Sequence, residues 1–150
     1  MGDFTNWFNT KLKVACYPMP TEITNSDYEY YINVSDEYIP SCAIAAMQSS
    51  KQYFWFPMNE VSGDMGLNSL YAALQILWIA EEQNAKVYLH CHAGANRSPT
   101  VADAYFFLRT KKHRGRKEVD GIKINFGMDK VEENQSIRCS VFNFRRSEKT

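Results

Sequence analysis

The run His90-Cys91-His92-Ala93-Gly94-Ala95-Asn96-Arg97-Ser98 concentrates the residue types that phosphoryl transfer needs. An apolar stretch precedes it, and a proline, Pro99, follows at the point where a helix would begin. A strand, a tight loop and a helix N-terminus together make an anion site. Successive backbone N–H groups point into the loop, and the helix dipole adds positive potential. Gly94 lets the backbone turn without steric cost. Cys91 stands at the base of that cradle, where a thiolate nucleophile is favoured by the helix terminus and a nearby cation. Arg97 closes the loop and can grip two phosphate oxygens with its planar fork. Ser98 is placed to hydrogen-bond the sulfur or to cap the helix.

The expected chemistry follows from these parts. Cys91 attacks phosphorus in line, an alcohol leaves, and water hydrolyses the cysteinyl-phosphate. The loop amides of residues 92–96 and Arg97 stabilise the transferring group in both steps. No metal or other cofactor is called for, since the cradle supplies the positive field. His90 and His92 lack a third or fourth ligand nearby and do not read as a metal pair. His90 is expected to orient the loop through hydrogen bonds, and His92 to lie exposed at its rim.

Such a loop must be held by a sheet and helices, and the chain offers them. Leu12 to Cys16, Tyr30 to Val34, Lys51 to Phe56 and Lys86 to His90 read as short strands. Pro18 and Pro20 break the first segment. Ser35-Asp36-Glu37 closes the second and could cap a helical turn. Asn68-Ser69 reads as the N-cap of a helix running to about Glu82, with Leu70, Leu74, Leu77 and Trp78 on one face. A second helix starts near Ser98, with Pro99 in its first turn and Val101, Tyr105 and Leu108 on one stripe. Alternating strands and helices predict an α/β fold with a central, largely parallel sheet of four or five strands flanked by helices. Ile122, Ile124 and Phe126 alternate with polar residues like a further strand, and Ile137 to Phe144 reads as another.

At 150 residues the chain reads as one domain, 1–150. No apolar run reaches membrane-spanning length, and the N-terminus lacks a secretory signal, so no membrane insertion and a cytoplasmic setting are expected. Asn6 breaks a myristoylation motif after Met1-Gly2. Cys16, Cys42 and Cys139 read as apolar packing residues. Charge is balanced overall but not along the chain. Residues 1–100 carry five Lys/Arg and ten Asp/Glu; residues 101–150 carry twelve and seven. The basic excess gathers in residues 109–117. Its plain reading is a solvated helix end and loop; its functional reading is a patch for phosphoproteins, lipid headgroups or RNA.

His90-Cys91-x-x-Gly94-x-x-Arg97-Ser98 resembles the signature of the cysteine-dependent protein tyrosine phosphatase superfamily. Arg97-Ser98-Pro99-Thr100-Val101, followed by Ala104-Tyr105, is similar to its compact dual-specificity branch, as is Tyr31-Ile32-Asn33-Val34-Ser35. The resemblance covers about residues 12–110, and 111–150 read as a divergent basic, strand-like segment. It implies the superfamily's fold, with Cys91 as nucleophile, Arg97 binding phosphate and Ser98 assisting thiolate departure. It also implies a general acid within residues 57–68. The usual spacing falls on Asn59, which cannot donate a useful proton; Asp64 is the preferred candidate and Glu60 the reserve.

The implied function is hydrolysis of phosphate monoesters: phosphotyrosine on proteins first, then phosphoserine and phosphothreonine. Two alternatives stand beside it. Asn96 before Arg97 is similar to the RNA 5′-triphosphatase branch, although Ser98-Pro99 departs from the Thr-Gly of those enzymes. A phosphate-binding module without turnover is the other. A phosphorylated protein is the expected partner, with an RNA 5′ end or a phosphoinositide as alternatives. The sequence leaves the oligomeric state open.

Overall fold

A computed structural model describes residues 3–58, 67–92 and 97–112. In chain order these form α1 (Phe4–Thr10), β1 (Leu12–Cys16), α2 (Pro20–Asn25), β2 (Tyr30–Asn33), α3 (Pro40–Gln48), β3 (Gln52–Trp55), α4 (Leu67–Glu82), β4 (Val87–Cys91) and α5 (Arg97–Thr110). The four strands make one sheet in the order β1-β4-β2-β3, and every pairing is parallel. This is the expected α/β architecture, with four strands among the described residues.

Strand β4 is the axis of the sheet, and its five residues are all buried. A parallel strand covered by helices on both faces reads as such a run. Successive side chains point to opposite faces. Val87, Leu89 and Cys91 enter one core with Ile32, Leu74, Leu77, Val101 and Tyr105. Tyr88 enters the other, with Tyr31, Ile23, Cys42 and Ala46. Helices α1, α4 and α5 therefore cover one face, and α2 and α3 the other.

The connections after β2 and β4 consequently leave the sheet in opposite directions, one toward α3 and one toward α5. A crevice opens at the carboxyl ends of two such strands, the usual place for a ligand in an open α/β sheet. Cys91 lies at its floor, opposite Cys16 of β1 and one residue beyond the Asn33–His90 pair of β2 and β4.

Several local expectations need correction. Asn68 and Ser69 lie inside α4, which already includes Leu67, so neither caps it. Ser35-Asp36-Glu37 does not open a helix: α3 starts at Pro40 with Ile39 at its N-cap. Pro20 is not only a breaker, since it is the first residue of α2. Cys42 is buried as expected, but Cys16 is exposed at the end of an edge strand. Arg109 does not belong to a solvated run. Its Nε and Nη2 donate to Glu81 at 2.8 and 2.7 Å, and both side chains are largely buried. Tyr105 donates to the same carboxylate, so this cluster joins α5 to α4. Residues 113–150, with their expected strands and Cys139, lie outside the described residues.

Candidate active site

The nucleophile candidate is fixed by the sheet and the serine candidate by α5. Cys91 ends β4 and is 1% exposed. Ser98, in the first turn of α5, is fully buried, and its Oγ lies 3.3 Å from Cys91 Sγ. Pro99 follows in the same turn, where its missing N–H costs no hydrogen bond. Seven residues separate sulfur and hydroxyl in sequence, and the strand-to-helix return brings them into contact.

Arg97 opens α5 and is also buried, at 6% exposed. Its Nη1 donates to Asp36 Oδ1 at 3.0 Å and to the carbonyl of Met58 at 3.1 Å. These two acceptors come from the segments after β2 and β3, so three connections meet at one guanidinium. Arg97 in turn holds the Asp36 carboxyl below its ordinary value of 3.8. The sequence offers Asp36 only within Ser35-Asp36-Glu37 as a strand end, not as a partner of Arg97.

The segment carrying Asp36 is itself clamped. Asn33 Oδ1 accepts from the Ser35 N–H at 2.9 Å, and Asn33 Nδ2 donates to the Glu37 carbonyl at 3.0 Å. Ser35 Oγ also donates to that carbonyl at 2.8 Å, and Trp55 Nε1 donates to the Ser35 carbonyl at 2.9 Å. Buried Asn33 and Ser35 thus find partners, as buried polar groups must.

His90 is fully buried on the opposite face of β4. Burial pushes its pKa down from 6.5 to about 4, so the ring is neutral at physiological pH. Nδ1–H donates to the Cys91 carbonyl at 3.4 Å, and Nε2 lies 3.3 Å from the Tyr53 hydroxyl. Burial raises the Tyr53 pKa, so the phenol keeps its proton and donates to Nε2. His92 is exposed; its Nε2 sits 3.6 Å from Glu37 Oε1 and its ring 5.2 Å from that of Tyr17.

The structure therefore brings Cys91 and Ser98 into contact and buries Arg97 against Asp36 and Met58, with His90 on the opposite face of β4 and His92 exposed. Ala93, Gly94, Ala95 and Asn96 lie outside the described residues, as do Asn59, Glu60 and Asp64. The contribution of Asp36 had one sequence signal, the polar run Asn33 to Glu37 directly after an apolar strand. Its partner is 61 residues away.

Comparison with known proteins places the chain in a family. The family model of the dual specificity phosphatase catalytic domain matches residues 13–146. The chain belongs to this family. It is a dual-specificity-like member of the cysteine-dependent protein tyrosine phosphatases. Dual specificity protein phosphatase 5 of Homo sapiens is 30% identical over 92 residues, which are 61% of this chain and 22% of that protein. The protein of the same name from Rattus norvegicus is 31% identical over 71 residues, covering 47% and 18%. The chain thus matches about a fifth of the length of these curated relatives. Tk-PTP in its active form superposes with a TM-score of 0.68 at 15% identity, covering 87% of this chain and 92% of that one. PTPMT1 does so with 0.64 at 14% identity, covering 93% and 92%. At those identities the likeness is one of fold.

Proposed function

We propose that the protein hydrolyses phosphate monoesters, chiefly phosphotyrosine and also phosphoserine or phosphothreonine on proteins, through a phosphocysteine intermediate on Cys91. The observation that carries this reading is the 3.3 Å contact between Cys91 Sγ and Ser98 Oγ, with the adjacent residue, Arg97, buried and its guanidinium held by Asp36 and Met58. The Cys91 thiolate attacks phosphorus and the substrate oxygen leaves. Arg97 and the amides of residues 92–96 hold the transferring oxygens. Water then attacks the intermediate, and the Ser98 hydroxyl donates to the sulfur as it regains its negative charge. His90 is a positioning residue: through the Cys91 carbonyl it sets the start of the loop.

Asp64 supplies the proton to the leaving oxygen in this reading, with Glu60 in reserve. Asp64→Ala should slow an aryl phosphate with a poor leaving group far more than one with a good leaving group. Equal losses on both substrates remove Asp64 from the role.

The reaction needs Cys91 as a thiol, which fits a reducing, cytoplasmic setting. Among the described residues no helix is long and apolar enough to cross a membrane. The direct test compares wild type and Cys91→Ser on phosphotyrosine and phosphothreonine peptides, a phosphoinositide and RNA 5′-triphosphate. A structure of PTPMT1 contains PI(5)P, which makes the phosphoinositide arm a necessary one. Turnover of the phosphopeptides by wild type alone supports the proposal. Faster release from the RNA favours the triphosphatase, and binding without turnover of any substrate favours the phosphate-binding module.

A further inference from the structure

A recess of about 200 Å³ opens beside the nucleophile, lined by Tyr17, Glu37, Tyr38, Ile39, Pro40 and His92. His92 follows Cys91 in the chain, and Tyr17 follows Cys16, the register partner of Cys91. The recess therefore adjoins the place where a phosphoryl group would be attacked.

Its walls have a definite chemistry. Tyr17 and Tyr38 are 39% and 47% exposed, so their rings are open to a ligand. Each is nonetheless held: Tyr17 by the His92 ring, and Tyr38 by the Trp55 ring at 5.3 Å. The Glu37 carboxylate also lines the recess; its side chain is 65% exposed, and its Oε1 lies 3.6 Å from His92 Nε2. The Glu37 backbone is fastened at both its N–H and its carbonyl, so the carboxylate projects from a fixed point. Two aromatic rings and one carboxylate around a small concavity suit a cation. The ring faces attract it, and the carboxylate accepts its N–H groups. The same carboxylate repels additional phosphates.

We propose that this recess binds the Lys or Arg side chain of a residue flanking the phosphorylated residue in a peptide substrate. This rests on the phosphatase reading above and narrows it. The preferred substrate is a phosphopeptide with a basic neighbour, rather than a polyanionic headgroup or a 5′-triphosphate end.

The test uses phosphotyrosine peptides that differ only at the positions beside phosphotyrosine: Lys, its neutral isostere norleucine, or Glu. A small aryl phosphate, assayed with each variant, serves as the reference. For wild type, kcat/KM for the Lys peptide should exceed that for norleucine on the order of tenfold. The Glu peptide should fall below both. Glu37→Gln should bring Lys and norleucine within about twofold of each other, and Tyr38→Leu should narrow the gap by part of that amount. Equal turnover of the Lys and norleucine peptides by wild type overturns the proposal. So does a Lys preference that survives Glu37→Gln, or faster turnover of a phosphoinositide than of the Lys peptide. Binding of the same peptides to Cys91→Ser reads the recess without turnover. If every substrate stays intact while Cys91→Ser still prefers Lys, the hydrolytic reading fails and the recess assignment stands.

Discussion

Arg97 Nη1 and Asp36 Oδ1 meet at 3.0 Å across the crevice between the connections that follow β2 and β4. One partner is buried and the other mostly exposed, with side-chain exposures of 8% and 62%. That asymmetry bears on both stability and rate. Water screens the Asp36 side of the pair, yet without Asp36 a buried guanidinium is short of a carboxylate. A misplaced phosphate-binding group also costs turnover, up to about a hundredfold for an ångström-scale shift. Asp36→Ala should therefore lower the urea midpoint, by less than the loss of a fully buried partner would, because Arg97 keeps the Met58 carbonyl. It should lower kcat/KM on an aryl phosphate on the order of tenfold, with Asp36→Asn intermediate. The Asp36 carboxyl is held below its ordinary 3.8 by Arg97. The contribution of the pair is thus complete above that value and is lost as pH falls through the depressed one.

Ser98 should show itself in the second half-reaction. On the proposed mechanism, removing its hydroxyl makes the Cys91 sulfur depart without the Ser98 Oγ, which lies 3.3 Å from Sγ. Ser98→Ala should lower kcat on the order of 10- to 100-fold while formation of the intermediate changes little. Rapid mixing with a chromogenic aryl phosphate should then reveal a burst equal to the enzyme concentration. A uniform slowing with no burst assigns Ser98 to capping α5 instead.

His90 makes the fold acid-sensitive in a defined window. It titrates near 4 when folded and at its ordinary 6.5 when unfolded. Between those values the unfolded chain binds more protons, so stability falls as pH drops from about 6.5 toward 4 and is unaffected above. The full effect is on the order of 3 kcal/mol. Urea unfolding at pH 5 and 7 should show a smaller difference for His90→Asn than for wild type. An unchanged difference would assign the acid sensitivity to other groups.

The Glu81 carboxylate takes two donors from Arg109 and one from Tyr105. Breaking such a pair strands a guanidinium that is mostly out of water. Glu81→Gln should cost roughly 3 kcal/mol, read as a lower thermal midpoint. The variant should still hydrolyse an aryl phosphate at low temperature, because the cluster lies at the far end of α5 from Ser98.

The strand and helix around Cys91 were legible because each carries a strong local signal. Val87, Leu89 and Cys91 alternate with Tyr88 and His90, and Pro99 marks a first helical turn. Helices α1, α2 and α3 were not legible. They have seven, six and nine residues, too few for an amphipathic period to declare itself. Pro20 and Pro40 each open a helix as Pro99 sits in one, yet a proline after a strand also reads as a plain stop. The partners of Arg97 and Arg109 were hidden for another reason. Asp36 and Glu81 lie 61 and 28 residues from them, and only the packing of whole elements decides such contacts. The Cys91–Ser98 contact spans one connection and could be read from the motif.

Asp36 and Glu37 are consecutive, yet one faces Arg97 and the other the recess. On the proposed reading, rate and selectivity are thereby written on adjacent letters of one clamped segment. A substitution at Glu37 or Tyr38 can retune what is accepted while the attacking atom stays where the sheet holds it. An inserted or deleted residue between Val34 and Ile39 has no such latitude, because it shifts both carboxylates at once. Variation at Glu37 and Tyr38 is therefore tolerable in spelling, but the segment as a whole is not tolerant in length.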